Sequence, residues 1–269
     1  MICERTSLFA AAKINLTLHV TGQRGDGYHH LDSLVVFADA GDHLYLEPAA
    51  ELSLEVTGPF ATGVPTDGGN LVWRAAQLAG WAGHIRLEKN LPHGAGIGSG
   101  SADAAALLRH FGAAENAADL GADVPVCLLG QAQRMQGIGE ILTPIHHLPP
   151  IFSVLANPGV PVATPAVFRN LRSKTNPAMP AHLPDFKTAS GFLDWLMTQR
   201  NDLEIPARRV APVVGDVLAA LKTLSPHVRM SGSGATCFAL FEDRARAEQA
   251  LTRLRSAQPD WWSVACGLS

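Results

Sequence analysis

A run of alternating glycines constrains the fold of this chain more than any other feature. In residues 92–103, which read Pro-His-Gly-Ala-Gly-Ile-Gly-Ser-Gly-Ser-Ala-Asp, every second residue from 94 to 100 is glycine. Because glycine reaches backbone conformations that other residues rarely adopt, this spacing lets several N–H groups turn toward one point. A short apolar strand at 85–87 precedes the run, and apolar residues at helical spacing follow it from Ser101. The sequence therefore predicts a strand–loop–helix unit with an anion site at the helix N-terminus.

Phosphate is the anion that such a loop suits, although neither common phosphate motif is present. A Walker loop needs a lysine after its glycines, and none follows here. The dinucleotide pattern G-x-G-x-x-G fails because its sixth position is Ser99 when it starts at Gly94 and Ser101 when it starts at Gly96. A plain flexible turn is the alternative, but a closing serine N-cap and an apolar helix favour a phosphate loop at 92–102.

Composition and charge exclude several classes of protein. The 269 residues are 47% hydrophobic and 17% charged, which is typical of one large globular domain or two lobes. A net charge of −3 gives no sign of a general nucleic-acid or anionic-membrane binder. Residues 1–7 lack the pattern of a secretory signal, and no apolar run approaches the ~18 residues of a membrane span. We therefore expect a cytoplasmic protein whose cysteines are reduced packing residues, namely Cys3, Cys127, Cys237 and Cys266.

Strands, helices and hairpins are mixed along the chain, which favours an α+β pair of domains over a purely parallel sheet. Alternation from Ile14 to Val20 predicts a half-buried strand that turns Lys13 and Asn15 away from the core. A β-hairpin is predicted across Gly41–Asp42. Further helices are predicted at 70–82, 210–221 and 247–254, strands at 152–155 and 237–241, and a looser proline-rich stretch at 173–184.

Two shorter motifs can carry chemistry. Residues 230–236 combine glycine with small hydroxyl side chains, which suits close approach to a phosphate or to the first loop. Asp123 is a single acid in an apolar setting, where a cap or a turn residue is more common than a catalytic group. Gly137–Glu140 reads as a tight turn.

Five segments, in this order, resemble the GHMP small-molecule kinases. The resemblance extends over residues 9–242. The glycine loops alone indicate only the family as a whole. The resemblance to one particular kinase within it rests on Lys13-x-Asn15 and on Tyr28-His29. Gly137-x-Gly139-Glu140 and residues 201–204, which read Asn-Asp-Leu-Glu, support it. The five segments are Ala12–Leu16, Arg24–His29, Pro92–Ala104, Gly121–Pro125 and Met230–Gly234.

The resemblance implies a two-lobed GHMP-kinase fold of the α+β class. Residues 1–155 would form a ribosomal-S5-like ATP-binding lobe, and residues 156–269 a ferredoxin-like lobe that completes the substrate cleft. The implied reaction moves the γ-phosphate of ATP, with Mg²⁺, to a 2-hydroxyl group in the non-mevalonate route to isoprenoid precursors. The implied partner is a small molecule that carries a cytidine diphosphate group. Neither a nucleic acid nor a membrane is implied, and we expect a monomer or a weak homodimer.

The resemblance also assigns roles to individual residues. Asp123 matches the catalytic base and Lys13 the catalytic lysine; Asn15, Tyr28 and His29 match the substrate pocket, where His29 reads cytosine and Tyr28 stacks on it. The ATP-binding residues are Pro92, His93, Gly94, Ala95, Gly96, Ile97, Gly98, Ser99, Gly100, Ser101 and Ala102, and the site-closing loop is Ser231, Gly232, Ser233 and Gly234.

Two residues depart from the usual Gly-Gly-Gly-Ser-Ser of the resembled family. Ser99 replaces a glycine, so the backbone there must avoid positive φ. Ala102 replaces the second serine, which makes Ser101 the candidate hydroxyl ligand for Mg²⁺. Two other readings stay open: a GHMP kinase for mevalonate or homoserine, and a non-catalytic nucleotide-binding module.

Overall fold

Between Thr6 and Ser269, the part of the chain that the computed structural model describes, there are eleven strands, eight α-helices and one 3-10 turn at Ala117–Asp119. The strands are β1 (Thr6–Asn15), β2 (His19–Gln23), β3 (His29–Pro48), β4 (Ser53–Thr57), β5 (Gly83–Glu88), β6 (Gln133–Gly137), β7 (Ile141–Pro144), β8 (Ile151–Asn157), β9 (Val228–Met230), β10 (Cys237–Phe241) and β11 (Trp262–Leu268). The helices are α1 (Leu71–Leu78), α2 (Ser99–Phe111), α3 (Val124–Leu129), α4 (Thr164–Arg169), α5 (Ala189–Thr198), α6 (Glu204–Val210), α7 (Val213–Lys222) and α8 (Arg244–Ala257).

The chain forms two compact units, each assembled from separate stretches of sequence. The first contains residues 6–13, Gly41–His93 and Gly98–Gly130, and the second Ile14–Ala40, Gly94–Ile97 and Gln131–Ser269. The two units are defined by how densely their residues pack, and they do not assign a function to either part of the chain. The predicted division at residue 155 into an ATP-binding lobe and a second lobe therefore stays a prediction.

In the first unit, strands and helices bury apolar faces that the sequence marks clearly. β5 alternates buried and half-buried residues, and it pairs parallel to β4 and antiparallel to the second part of β3. Helix α2 packs on both α1 and α3. Its buried face is rich in alanine and leucine from 102 to 108, which lets the three helices approach closely.

The second unit contains the strands from β6 to β11 and its own apolar core. β8 lies between β10 and β11, both antiparallel to it, and β10 also pairs with β9. The first part of β3 pairs with β2 and β6. Helices α7 and α8 pack on this sheet. Core members on α7, β8 and β10 include Val214, Val217, Leu221, Val154 and Ala239.

The predicted hairpin at Gly41–Asp42 is wrong, because β3 continues through both residues as one strand of 20 residues. Gly41 is needed for close packing and not for a turn. A Cβ atom there would lie 2.7 Å from the ring of Phe9. The side chain of Asp42 is fully buried and has its own partners, described below.

The prediction of a half-buried strand from Ile14 to Val20 is also wrong. β1 ends at Asn15, β2 starts at His19, and every residue from Ala12 to Val20 is buried. Both faces can be buried because the polar side chains have partners: the hydroxyl of Thr17, for example, accepts the N–H of Leu34 at 2.8 Å.

Most other predicted elements are confirmed, with corrected ends. β5, β8, β10 and α8 occur where predicted, and 173–184 has no helix or strand. The predicted helix at 210–221 is α7, which starts three residues later than predicted because α6 ends at Val210 and Pro212 is the N-cap of α7. Helix α1 has the N-cap Asn70 and ends four residues before the predicted end. Helix α2 starts at Ser99 with Gly98 as its N-cap, so the predicted serine N-cap is wrong.

The cysteines of the described residues are packing residues, as predicted. Cys127, Cys237 and Cys266 are free and buried, and burial raises the pKa of Cys127 and of Cys266 to about 12. Cys3 lies outside the described residues, as do the first five of residues 1–7, the segment predicted to lack a secretory signal. Across residues 6–269, no helix combines the length and the apolar character that crossing a bilayer requires.

Candidate active site

The phosphate loop turns at three glycines and then enters a helix. Gly94, Gly96 and Gly98 have φ of 62°, 75° and 62°, a region that strains residues with side chains. Gly100 was predicted to curl with them and instead lies in the first turn of α2, which Ser99 begins in helical conformation. No side chain of the described residues caps this end of the helix, so its N–H groups can face an anion.

Lys13 and Asp123 form an ion pair at this end of the first unit. Their Nζ and Oδ1 atoms are 2.7 Å apart, with Lys13 5% exposed and Asp123 40% exposed. β1 carries the lysine, and Asp123 is the residue that precedes α3. The structure thus brings together two residues that stand 110 positions apart in the sequence, and the carboxylate is accessible to a small molecule.

Gly98 links the phosphate loop to this ion pair. A Cβ atom on Gly98 would lie 3.3 Å from Cβ and from Cε of Lys13, which is tighter than ordinary contact. The glycine is therefore required twice, once for its positive φ and once for the space that the lysine stem occupies.

The second glycine cluster lies against the first loop within the second unit. A Cβ on Gly96 would be 2.5 Å from the carbonyl oxygen of Ser231, and a Cβ on Gly232 would be 2.8 Å from that of Gly96. The hydroxyl of Ser231 donates to the carbonyl of Gly96 at 2.9 Å. Close approach to the first loop, one of the two roles that its composition suits, is thus present in the structure.

Asn15 and Asn201 both hold the second glycine cluster, Asn15 through its backbone N–H and Asn201 through its side-chain amide. The N–H of Asn15 donates to the Ser231 hydroxyl at 3.1 Å, and its side-chain amide donates to Ser33 at 2.8 Å. Asn201 donates to the carbonyls of Met230 and Gly232, both at 2.8 Å. Asn201, the first residue of the 201–204 motif, is thus explained by the loop that it supports.

His29 and Tyr28 lie at the edge of the second unit, and they differ in exposure. Tyr28 is 61% exposed. The ring of His29 stacks on Phe168 at 4.7 Å between centroids, and its Nε2 atom is buried without a hydrogen-bond partner among the described residues. Burial lowers the pKa of His29, as does the charge of Lys174, so the ring is neutral at pH 7. Sequence reasoning missed Phe168, for which no local motif exists.

Sequence reasoning also missed a buried charged cluster beside the phosphate loop. The ammonium of Lys89 donates to Asp103 at 2.6 Å and also to Asp42 and Ser99. Burial lowers the pKa of Lys89, but Asp103 and Asp42 outweigh this and raise it overall. Burial raises the pKa of Asp103 to about 7, with Lys89 opposing and Asp42 adding to the rise. The one available signal was an aspartate inside an alanine-rich helical face.

The proline-rich stretch at 173–184 is anchored by a second buried ion pair that the sequence did not indicate. Arg134 binds both oxygens of Asp32 at 2.7 Å, and it also donates to the carbonyls of Pro180 and Ala181. Asp32 accepts the N–H of Met179 at 2.9 Å. An irregular segment therefore has a defined path because its backbone groups have buried charged partners.

The described residues contain no group of three His, Cys, Asp or Glu side chains able to hold a metal ion by themselves. Ser101 is half-buried in the first turn of α2, next to the uncapped helix end.

Comparison with known proteins gives consistent results. The family model described as GHMP kinases N terminal domain matches residues 70–131, and GHMP kinases C terminal matches 187–260. A protein of Dinoroseobacter shibae named 4-diphosphocytidyl-2-C-methyl-D-erythritol kinase is 60% identical, over 94% of this chain and 92% of its own length. Its namesake in Paracoccus denitrificans is 53% identical, over 97% and 96%. A crystal structure of 4-(cytidine 5'-diphospho)-2C-methyl-D-erythritol kinase superposes with a TM-score of 0.77 at 35% identity, over 98% of this chain and 99% of that one. The predicted α+β fold of the GHMP kinases is confirmed.

Proposed function

This chain belongs to the 4-diphosphocytidyl-2-C-methyl-D-erythritol kinases, within the GHMP kinases, and we propose that it phosphorylates the 2-hydroxyl of that cytidylyl compound from ATP. The product is an intermediate of the non-mevalonate isoprenoid pathway. The observation that carries the proposal is the 2.7 Å ion pair between Lys13 and Asp123, with Gly98 packed on the lysine stem.

The phosphate loop holds ATP mainly through its backbone in this proposal. The turns at Gly94, Gly96 and Gly98 and the uncapped start of α2 support it, since N–H groups and a helix dipole attract phosphate oxygens. Phosphoryl transfer needs mostly positioning and charge stabilisation, and positioning two reactants contributes roughly 7–11 kcal/mol. The net charge of −3 is no obstacle, because the positive potential is local.

Asp123 accepts the proton of the substrate hydroxyl, and Lys13 offsets negative charge on the moving phosphoryl group. The exposure of Asp123 supports this assignment, because a general base must come within hydrogen-bond reach of the hydroxyl. A general base of this kind contributes about 10²–10⁴-fold in rate.

Ser101 would hold Mg²⁺ bound with the nucleotide, and the ion would supply positive charge against the phosphate oxygens. Ser101 is the hydroxyl that we assign to it, because Ala102 has no side-chain oxygen to offer. The loop otherwise supplies N–H donors, which bind phosphate and not the metal.

His29 reads the cytosine of the substrate, with Tyr28 stacking on the base and Asn15 lining the pocket. The buried and unpartnered Nε2 atom of His29 supports its role, because a buried polar atom without a partner is costly unless a ligand satisfies it. Phe168 fixes the plane of the His29 ring. The Ser231–Gly234 loop closes the site through its contact with Gly96.

We also propose a cytoplasmic enzyme that acts as a monomer or a weak homodimer. The free, buried cysteines of the described residues support a reducing compartment. Sedimentation velocity over a range of concentrations would measure the association.

The test is ATP consumption with three acceptors: the cytidylyl methylerythritol, the same compound without its cytidylyl group, and mevalonate or homoserine. We expect turnover with the first alone. Folded enzyme that turns over mevalonate or homoserine instead would replace the proposed substrate, and binding of ATP without turnover of any acceptor would indicate a non-catalytic module.

A further inference from the structure

The buried cluster of Asp42, Lys89, Ser99 and Asp103, named here the loop clamp, connects the two ends of the phosphate loop. Lys89 directly follows β5, three residues before Pro92. Ser99 is the first residue of α2, where the loop ends, and Asp103 lies one turn further.

One carboxylate holds both ends. Oδ1 of Asp42 accepts the N–H groups of Asn90 at 2.6 Å and Leu91 at 2.8 Å, just before the loop. Oδ2 of the same residue accepts the hydroxyl of Ser99 at 2.9 Å, just after it. Lys89 then bridges Asp42, Ser99 and Asp103, so the seven residues from 92 to 98 are closed by a ring of charged hydrogen bonds.

We propose that the loop clamp is a positioning device for the phosphate loop, and that Ser99 sets ATP affinity by fixing the loop and not by contacting phosphate. The proposal rests on the proposed kinase function. The hydroxyl of Ser99 faces Lys89 and Asp42, so it is already committed within the protein.

Stability alone does not account for the clamp. The side chains of Lys89, Asp42 and Asp103 are 2%, 0% and 2% exposed, and removing three ionisable groups from water costs free energy that an apolar cluster would avoid. Oδ1 of Asp103 also has no partner among the described residues. What the charges provide is a defined geometry for the backbone N–H groups on which phosphate binding depends.

The clamp also explains the serine at 99, where the resembled family usually has glycine. In this chain the side chain has room and two charged partners at the start of α2. A glycine there leaves the loop tied only through Lys89, Asp42 and Asp103.

The experiment compares Ser99→Ala with Ser225→Ala. Ser225 is the matched control: it is also buried, donates to Leu240 at 2.7 Å and accepts from His227 at 3.1 Å, far along the chain from the loop. Calorimetric titration with the non-hydrolysable analogue β,γ-imido-ATP and Mg²⁺ measures Kd, steady-state kinetics measures KM for each substrate, and calorimetric scans measure Tm.

We expect Ser99→Ala to raise Kd for the analogue and KM for ATP about tenfold, with KM for the acceptor unchanged. Ser225→Ala should lower Tm and leave Kd unchanged. Equal Kd values for Ser99→Ala and the parent would overturn the clamp, whatever happens to Tm.

If Ser99→Ala does not fold, Ser99→Gly removes the same hydroxyl without requiring space, with the same expected rise. A parent that does not bind the analogue overturns the kinase assignment and the clamp together, whereas a parent that binds while the variants bind equally well overturns the clamp alone.

Discussion

At the scale of single residues, the sequence gives the type of each side chain, but its role depends on the residues that fold against it. Asp123 has the same local sequence whether it caps a helix or receives a proton. The structure places it before α3 with no capping hydrogen bond from its side chain, and pairs it with Lys13. The carboxylate is therefore free of the structural role that short acidic motifs usually have.

We expect Asp123→Asn to bind ATP nearly as tightly as the parent and to lose about 10²–10⁴-fold in kcat, because the amide cannot accept the proton. Single-turnover kinetics with saturating ATP measures the chemical step, and calorimetry with the imido analogue controls for binding. An unchanged kcat would remove Asp123 as the base.

Asp103 makes folding depend on pH in an unusual direction. Its pKa is raised to about 7 from 3.8, so the folded state keeps the proton in a range where the unfolded state has released it. More protons bound in the folded state means that this group stabilises below about pH 4 and that the contribution is lost as pH rises to about 7. Cys127 nearby does not titrate in this window, since its pKa is also raised, to about 12.

We expect Asp103→Asn to remove this loss. The difference in free energy of unfolding, variant minus parent, should rise by about 2–3 kcal/mol as the pH is increased from 5 to 8. Urea denaturation at the two pH values measures it, and parallel pH profiles for the two proteins would refute the assignment. If the same variant binds ATP more weakly while gaining stability at pH 8, the Asp103 carboxylate contributes to ATP binding through the loop and not to the stability of the fold.

At the scale of elements, the phosphate loop, the strand before it and α2 follow from local sequence, whereas the unbroken course of β3 does not. Alternating glycines predict the loop because positive φ is a property of the residue itself. The hairpin prediction at Gly41 failed because that glycine accommodates Phe9, a contact that no local pattern encodes.

Gly98→Ala tests whether the loop and Lys13 are coupled. Gly98 and Gly112 cap the two ends of α2 with φ of 62° and 66°, but only Gly98 has a neighbour, the stem of Lys13 at 3.3 Å. Both alanine variants should lose roughly 1–2 kcal/mol of stability from the strained φ. Only Gly98→Ala should also lose activity, by tenfold or more, because small displacements of a catalytic group are costly. Equal kcat values for the two variants would contradict the coupling.

At the scale of the whole molecule, long-range ion pairs determine where irregular segments lie. Arg134 and Asp32 stand 102 residues apart and hold the backbone at 179–181 within the second unit. The loop clamp has the same construction in the first unit, where Asp42 and Ser99 are 57 residues apart.

Arg134→Met keeps a flexible, unbranched side-chain stem and removes the charge and the hydrogen-bond donors. Because Asp32 is then buried without its cation, we expect a loss of about 3–5 kcal/mol in the free energy of unfolding. Limited proteolysis should cut first within 173–184, and Asp32→Asn in the same chain should restore part of the stability. An unchanged cleavage pattern would show that other contacts hold this segment.

The sequence by itself determined the features that depend on local backbone chemistry. The glycine loop, the strand before it, the helix after it and the motifs that mark the GHMP kinases all lie in short, contiguous stretches whose residue types restrict φ and burial directly. Tertiary structure decided the rest: that both faces of the strand at Ile14 are buried, that Asp123 meets Lys13, and that Lys89, Asp42 and Asp103 share one dry cluster. The reason is that a charged side chain can be buried only where a partner compensates it, and that partner is supplied by folding from a distant part of the chain.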